Sequence, residues 1–287
     1  MTGGDRTDPV AYYDDYGERE WNRLDRDFFH RLEWEGTVEQ LDRELPAVED
    51  PADPPRILDV GGGAGRYSVW LAERGYDVTL VDPSETQREI AREKCSEHDV
   101  DEYVSIDDGD VRNLAFETDT FDATCCLGGP LSHVLDAAER RRAAEELRRV
   151  TTAGGPVFVS VMGLLGAIMI TVQYAGRVEE ALDDLVIMPD LAREQDYTDK
   201  LVARYGLEQV LFDCHFFRRE ELVTLLEAAG LAVDRVVALE GIAGSRRDHL
   251  EALDGDDRDA IRELNDLFRT DPAVVDVSPH MLAICRG

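Results

Sequence analysis

The stretch Ile57 to Asp82, ILDVGGGAGRYSVWLAERGYDVTLVD, decides how this chain folds. Pro55 through Val60 is a short, mostly apolar run bounded by proline and glycine, which predicts a strand covered on both faces of a parallel sheet. Gly61-Gly62-Gly63-Ala64-Gly65 follows, and glycine is the residue that can turn a strand abruptly into a helix, because it adopts φ > 0 and lets backbone approach a ligand. The sequence predicts a helix from Arg66 to Arg74, stopped by Gly75, then a strand from Tyr76 to Val81 that ends on Asp82. A carboxylate there can accept both hydroxyl protons of a ribose. Strand, glycine turn, helix, strand and acid within 26 residues make half of a nucleotide-binding α/β unit.

Spacing separates one nucleotide from another. A dinucleotide fingerprint needs Gly-x-Gly-x-x-Gly; here the third glycine comes one residue early and Arg66 stands in its place, which argues against a nicotinamide dehydrogenase. Asp59-x-Gly61-x-Gly63-x-Gly65, with Asp82 downstream, instead resembles motif I of the class I S-adenosylmethionine methyltransferases. The resemblance implies an α/β fold: a Rossmann-like seven-stranded mixed sheet with helices on both faces and an antiparallel last strand. It implies S-adenosylmethionine as cofactor, S-adenosylhomocysteine as product and a small-molecule methyl acceptor. It also implies roles for residues. Asp59 sits at the methionyl end or orients the loop; Gly61, Gly63 and Gly65 allow close approach; Asp82 meets the ribose. Asp110 meets the adenine amino group, with Asp107 and Asp108 as alternatives, while Val111 packs near the ring and Leu127 forms a pocket wall.

Upstream, aromatics at intervals of three and four (Tyr12, Tyr13, Tyr16, Trp21, Phe28, Phe29, Trp34) predict amphipathic helices. In the resembling family such a segment folds over the cofactor, so Tyr12, Tyr13 or Tyr16 is a candidate contact, with Tyr13 taken first, and an aromatic face can attract a sulfonium cation. Residues 1–50 are expected to form this helical cap and 51–287 the cofactor-binding domain, with a helical lid inserted at about 163–213. Downstream, Ser84-x-x-Gln87 has the form of a capping box opening the next helix. Further strands are expected at Val104–Ile106, Phe121–Leu127, Val157–Met162, Leu231–Leu239 and His280–Cys285. Helices are expected at Ala137–Val150, Val178–Val186, Asp196–Tyr205, from Cys214 to Gly230, and around Asp257–Phe268.

The acceptor site is less legible. Gly128-Gly129-Pro130 lacks the Asn-Pro-Pro or Asp-Pro-Pro signature that holds a planar nitrogen in nucleobase and amide methyltransferases. His133 lies just beyond it, and His215 opens a segment similar to the His-x-Phe-x-x-x-Glu-Leu of many small-molecule methyltransferases. Either could act as a general base. The alternative reading is a protein that binds S-adenosylmethionine for regulation or assembly without transferring methyl.

Charge narrows the partners. With 62 acidic and 31 basic residues the net charge is −31, and only Lys94 and Lys200 are lysines. Such a surface repels phosphate, argues against nucleic acid and resembles proteins of salt-loving archaea. Arg140-Arg141-Arg142 and Arg148-Arg149 are interleaved with glutamates and read as a solvated helix face. The 5 cysteines include no C-x-x-C, so buried thiols in a reducing cytoplasm are expected and no metal site. The polar, acidic opening residues are expected to form no signal peptide. Val157–Gly176 lacks charge, but its glycines and polar residues predict a buried strand followed by a lid helix rather than a membrane span.

Overall fold

The computed structural model describes residues 7–174, 185–209 and 211–287. The chain opens with α1 (Pro9–Tyr16), α2 (Arg19–Asn22) and α3 (Phe28–Glu44). It then alternates strand and helix: β1 (Arg56–Val60), α4 (Arg66–Ala72), β2 (Asp77–Asp82), α5 (Glu85–Glu97), β3 (Val104–Asp108), β4 (Ala123–Cys126), α6 (Ala137–Val150) and β5 (Pro156–Met162). The insert holds α7 (Leu164–Tyr174), α8 (Met188–Glu194), β6 (Asp196–Tyr197), α9 (Asp199–Ala203) and β7 (Cys214–His215). The chain continues through α10 (Arg219–Ala228), β8 (Ala232–Ala238), α11 (Arg247–Leu250), α12 (Gly255–Phe268), α13 (Pro272–Val277) and β9 (His280–Arg286).

The main sheet has 7 strands in the order β3-β2-β1-β4-β5-β9-β8. β1 to β5 pair in parallel, and β9 inserts antiparallel between β5 and β8, as the resemblance implied. Successive strand residues point to opposite faces. Ile57 therefore packs with Trp70, Val78 and Leu80 under α3, α4 and α5, whereas Leu58 and Val60 pack with Val81, Leu147 and Val159 on the side of α6 and α10. Cys125 and Cys126 divide between the two clusters, and all five cysteines are free and buried.

Several expectations are corrected. The Ser84 hydroxyl accepts from Gln87 N at 3.1 Å, but the reciprocal half of the capping box is replaced by Asp82, whose Oδ1 accepts from Ser84 N at 2.8 Å. The His215 segment does not open a helix. Cys214–His215 pairs with Asp196–Tyr197 as a small hairpin, and α10 starts at Arg219, whose amide is capped at a distance by Asp276 Oδ1 at 2.9 Å. The expected Asp196–Tyr205 helix shrinks to α9 because Thr198, in an extended conformation, caps it through Leu201 N. The Val178–Val186 helix falls largely on residues outside those described. Arg140 is not a solvated charge: it is buried and donates to the Val134 and Leu135 carbonyls at 2.8 and 2.6 Å. Among the described residues, no helix is long and apolar enough to cross a membrane.

The helix α7 approaches the turn before β9 closely. A Cβ at Gly166 would lie 2.4 Å from Pro279 N and 2.5 Å from the Ser278 carbonyl carbon, both backbone atoms that cannot swing away. Alanine normally favours a helix over glycine by about 1 kcal/mol, so the sign of the effect here reports packing. Gly166→Ala is expected to lower stability by about 1–3 kcal/mol in urea unfolding.

Asp59 forms a second constraint, beneath the glycine turn. It is 1% exposed; Oδ2 accepts from the Ser68 hydroxyl at 2.7 Å, and Oδ1 has no partner. Burial pushes its carboxyl from 3.8 up to about 6. A folded-state value above the unfolded one favours folding while the group is protonated, and that contribution disappears as pH rises through the folded value. Asp59→Asn should therefore gain stability relative to the parent as pH rises from about 4 to 7, by about 2–3 kcal/mol at the upper end. Unfolding midpoints of the ligand-free proteins across that range check it.

Candidate functional site

The parallel strands end at a cavity of about 320 Å³. Its floor is the turn after β1. Gly61 N donates to Val81 O at 2.7 Å, which folds the turn back over the end of β2. Gly61 has φ +68°, and a Cβ on it would lie 2.5 Å from Pro130 Cγ, so only glycine fits between the turn and the loop after β4. Gly63, at φ +52°, lines the open side and donates its amide to Asp82 Oδ2 at 2.9 Å. Asp82 thus uses one oxygen on the turn and the other on the start of α5, and burial raises its pKa despite those hydrogen bonds. Each carboxylate oxygen retains a further lone-pair direction for a ligand hydroxyl.

Gly109, Asp110, Val111 and Arg112 form one wall and Leu127, Gly128, Pro130 and His133 another. The Asp110 carboxylate is held by Arg112, through its amide and Nε at 2.8 Å each and through Nη2. Burial would raise the pKa of Asp110, but these bonds outweigh it and the carboxyl stays low. Asp107 and Asp108 do not line the cavity, and Asp108 pairs with Arg88 at 2.8 Å.

The roof comes from the N-terminal helices. Tyr13, on α1, places its hydroxyl 3.4 Å from His133 Nε2, and Phe212 packs against both rings, 5.7 and 4.6 Å between centroids. Burial lowers His133 to about 4 and raises Tyr13 well above the usual phenol value, so both are neutral near neutral pH. His133 Nδ1 is buried with no partner. Glu20 and Arg23 also reach the cavity. Arg23 grips Glu33 with two nitrogens, at 2.7 and 3.0 Å, and Glu20 with the third, at 3.1 Å. Glu20 Oε2 and Gln87 Oε1 remain buried without partners. Buried polar atoms of this kind are rare unless a ligand or water completes them.

Of the residues singled out in the sequence, Tyr13, Gly61, Gly63, Asp82, Asp110, Val111, Leu127 and His133 come together around this cavity. Asp59, Gly65 and His215 do not line it. Asp59 lies under the turn. Gly65, at φ +82°, packs against Ala91, where a Cβ would come within 3.1 Å. His215 is buried in the β6–β7 hairpin, its ring nitrogens 2.6 Å from Asp196 Oδ1 and 2.8 Å from Glu221 Oε1. Glu20, Arg23 and Gln87 were not anticipated. In the sequence the first two resemble an i, i+3 surface pair, and nothing local marks them as buried.

Glu33, Glu240 and His280 gather their side-chain ligand atoms within 4.8 Å. The Arg23 guanidinium already occupies both oxygens of Glu33, while Glu240 accepts from the Ser278 hydroxyl, the His280 amide and His280 Nδ1. This is a charge network joining the cap to the sheet. Its carboxylates are answered by protein donors. Burial would raise Glu33, but Arg23 holds it at about 2.

Known proteins share this arrangement. Residues 57–155 match the methyltransferase domain family. The chain is 26% identical over 131 residues to methyltransferase GfsG of Streptomyces halstedii, covering 45% of this chain and 46% of that protein. It is 34% identical over 109 residues to demethylmenaquinone methyltransferase of Clavibacter sepedonicus, covering 38% and 42%. These matches span less than half the length of either relative. Over the whole fold, a S-adenosylmethionine-dependent methyltransferase of Methanosarcina mazei superposes with a TM-score of 0.56 at 20% identity, covering 86% of this chain and 95% of that one. Residues 57–155 thus carry a methyltransferase domain, and the sheet around them, with its antiparallel β9, has the fold of a S-adenosylmethionine-dependent methyltransferase of known structure.

Proposed function

We propose that this chain transfers a methyl group from S-adenosylmethionine to a small-molecule acceptor. The observation that carries the reading is the cavity itself: a backbone turn that only glycine can form, a buried carboxylate at the end of β2, and three buried polar atoms, Glu20 Oε2, Gln87 Oε1 and His133 Nδ1, that no protein group satisfies. These residues fit the cofactor. Asp82 would take the ribose, Asp110 and Val111 the adenine, and Gly61 and Gly63 would let its chain lie against backbone. Asp59 would act through the turn above it.

When bound, S-adenosylmethionine supplies an electrophilic methyl group on a sulfonium and leaves as S-adenosylhomocysteine. The protein's own work is alignment and exclusion of water. Tyr13, backed by the Phe212 ring, walls the acceptor side, and the neutral imidazole of His133 can hold a proton lost by the acceptor at whichever ring nitrogen is free. The division into a cap at 1–50 and a catalytic domain at 51–287 with a lid accords with these roles. A small acceptor is favoured because the cavity is roofed. Nucleic acid is disfavoured by the excess of 62 acidic over 31 basic residues, which also fits a cytoplasm rich in salt. The buried free thiols accord with a reducing compartment.

Conversion of S-adenosylmethionine to S-adenosylhomocysteine in the presence of a metabolite extract tests the activity. Tight binding with no turnover would identify a regulatory binder instead. Asp82→Ala should weaken S-adenosylmethionine by about 2 kcal/mol in calorimetry, through a lost charged acceptor; unchanged affinity would remove Asp82 from the site. Because burial holds His133 near 4, any rate that depends on its neutral form should be flat from about pH 6 upward and fall only as pH drops toward that value. In His133→Phe that acid limb should vanish along with most of kcat.

A further inference from the structure

Gln87 is wholly buried, at 0% exposure, and its orientation is fixed by chemistry. Its Nε2 lies 2.7 Å from Tyr13 O and 3.2 Å from Gly17 O, and carbonyl oxygens only accept, so the amide nitrogen must face them. Oε1 is turned the other way, at the cavity wall, 3.9 Å from where a Cβ on Gly63 would sit, and has no partner. Glu20 comes to the same point: its Cγ is 3.7 Å from that position, Oε1 is taken by Arg23 Nε at 3.1 Å, and Oε2 is free. Asp82 Oδ2 completes the group through the Gly63 amide at 2.9 Å. Arg23 spends one N–H of each of its three nitrogens on Glu20 and Glu33. The two unpartnered side-chain atoms beside Gly63, Gln87 Oε1 and Glu20 Oε2, are therefore both oxygens. A ligand group that completes them brings hydrogens.

We infer that Gln87 and Glu20, together with Asp82, bind the two ribose hydroxyls of the cofactor, and that Gln87 ties this contact to the position of α1. The inference rests on the cofactor reading above. Its structural consequence is a chain of contacts. A ligand hydroxyl on Oε1 pins the amide; the pinned amide holds the carbonyls of Tyr13 and Gly17; and α1 then presents Tyr13 to the acceptor side. The bound cofactor thereby completes the acceptor's wall.

Calorimetry on the full chain, with S-adenosylhomocysteine, adenosine and 2′,3′-dideoxyadenosine as probes, tests the contact. In Glu20→Ala and in Gln87→Leu, S-adenosylhomocysteine and adenosine should each bind at least about tenfold more weakly, while the dideoxynucleoside, which lacks both hydroxyls, should bind as it does to the parent. Unchanged affinity for adenosine overturns the ribose assignment. A loss confined to S-adenosylhomocysteine overturns it too, and points to the ammonium group instead. A parent protein that binds none of the probes refutes the cofactor reading itself, a separate failure.

The coupling is read by amide hydrogen exchange over Tyr12–Gly17. S-adenosylhomocysteine should slow exchange there in the parent but not in Gln87→Glu, which keeps an acceptor oxygen and loses both N–H donors. Protection retained in that variant overturns the coupling. Should Gln87→Leu fail to fold, Glu20→Ala and Gln87→Glu carry both tests.

Discussion

The grip of Asp82 on two backbone amides is the interaction on which the rest of this molecule depends. One oxygen takes Gly63 N and the other Ser84 N, at 2.9 and 2.8 Å, so a single side chain fixes the turn after β1 and the start of α5. Without it, two flexible backbone segments would have to find their places independently at the edge of a cavity. Because the bonds are to charged oxygen in a dehydrated place, they are stronger than neutral ones. They do not exhaust the carboxylate, which is why a scaffolding residue can also meet a ligand.

Much of this was legible in the sequence because it obeys local rules. The run from Ile57 to Asp82 alternates strand and helix signals within a short window. The charged helix Ala137–Val150 was recovered to the residue because Asp136 caps it. The inserted final strand followed from the family resemblance rather than from any periodicity. What escaped was non-local. Glu20, Arg23 and Gln87 became site residues only when the cap folded onto α5, a contact between segments about seventy positions apart. Arg140 read as one more solvated arginine, yet its burial is set by the carbonyls of the preceding loop. His215 carried a family-like motif, but its neighbours Asp196 and Glu221 engage it in the β6–β7 hairpin, away from the cavity.

The distribution of charge shows how an extremely acidic chain manages its interior. Its buried carboxylates are each answered differently: Glu33 by the two-pronged grip of Arg23, Glu240 by Ser278 and His280, and Asp59 by a lone serine and a raised pKa. Removing one member of such a set leaves an uncompensated charge, which is worse than never having had the pair. Arg23 thus joins the cap, the end of the sheet and the cavity in one network.

The placement of β9 governs how the molecule can be assembled. Residues His280–Arg286 fill the slot between β5 and β8, so these two strands are joined in one sheet only once β9 has been made. Until it arrives on the ribosome, β5 and β8 each present a bare edge of unpaired amides and carbonyls, the kind of surface on which chains stick to one another. A dense negative charge keeps emerging chains apart during that interval. The acidity of this chain then has a use during its synthesis too.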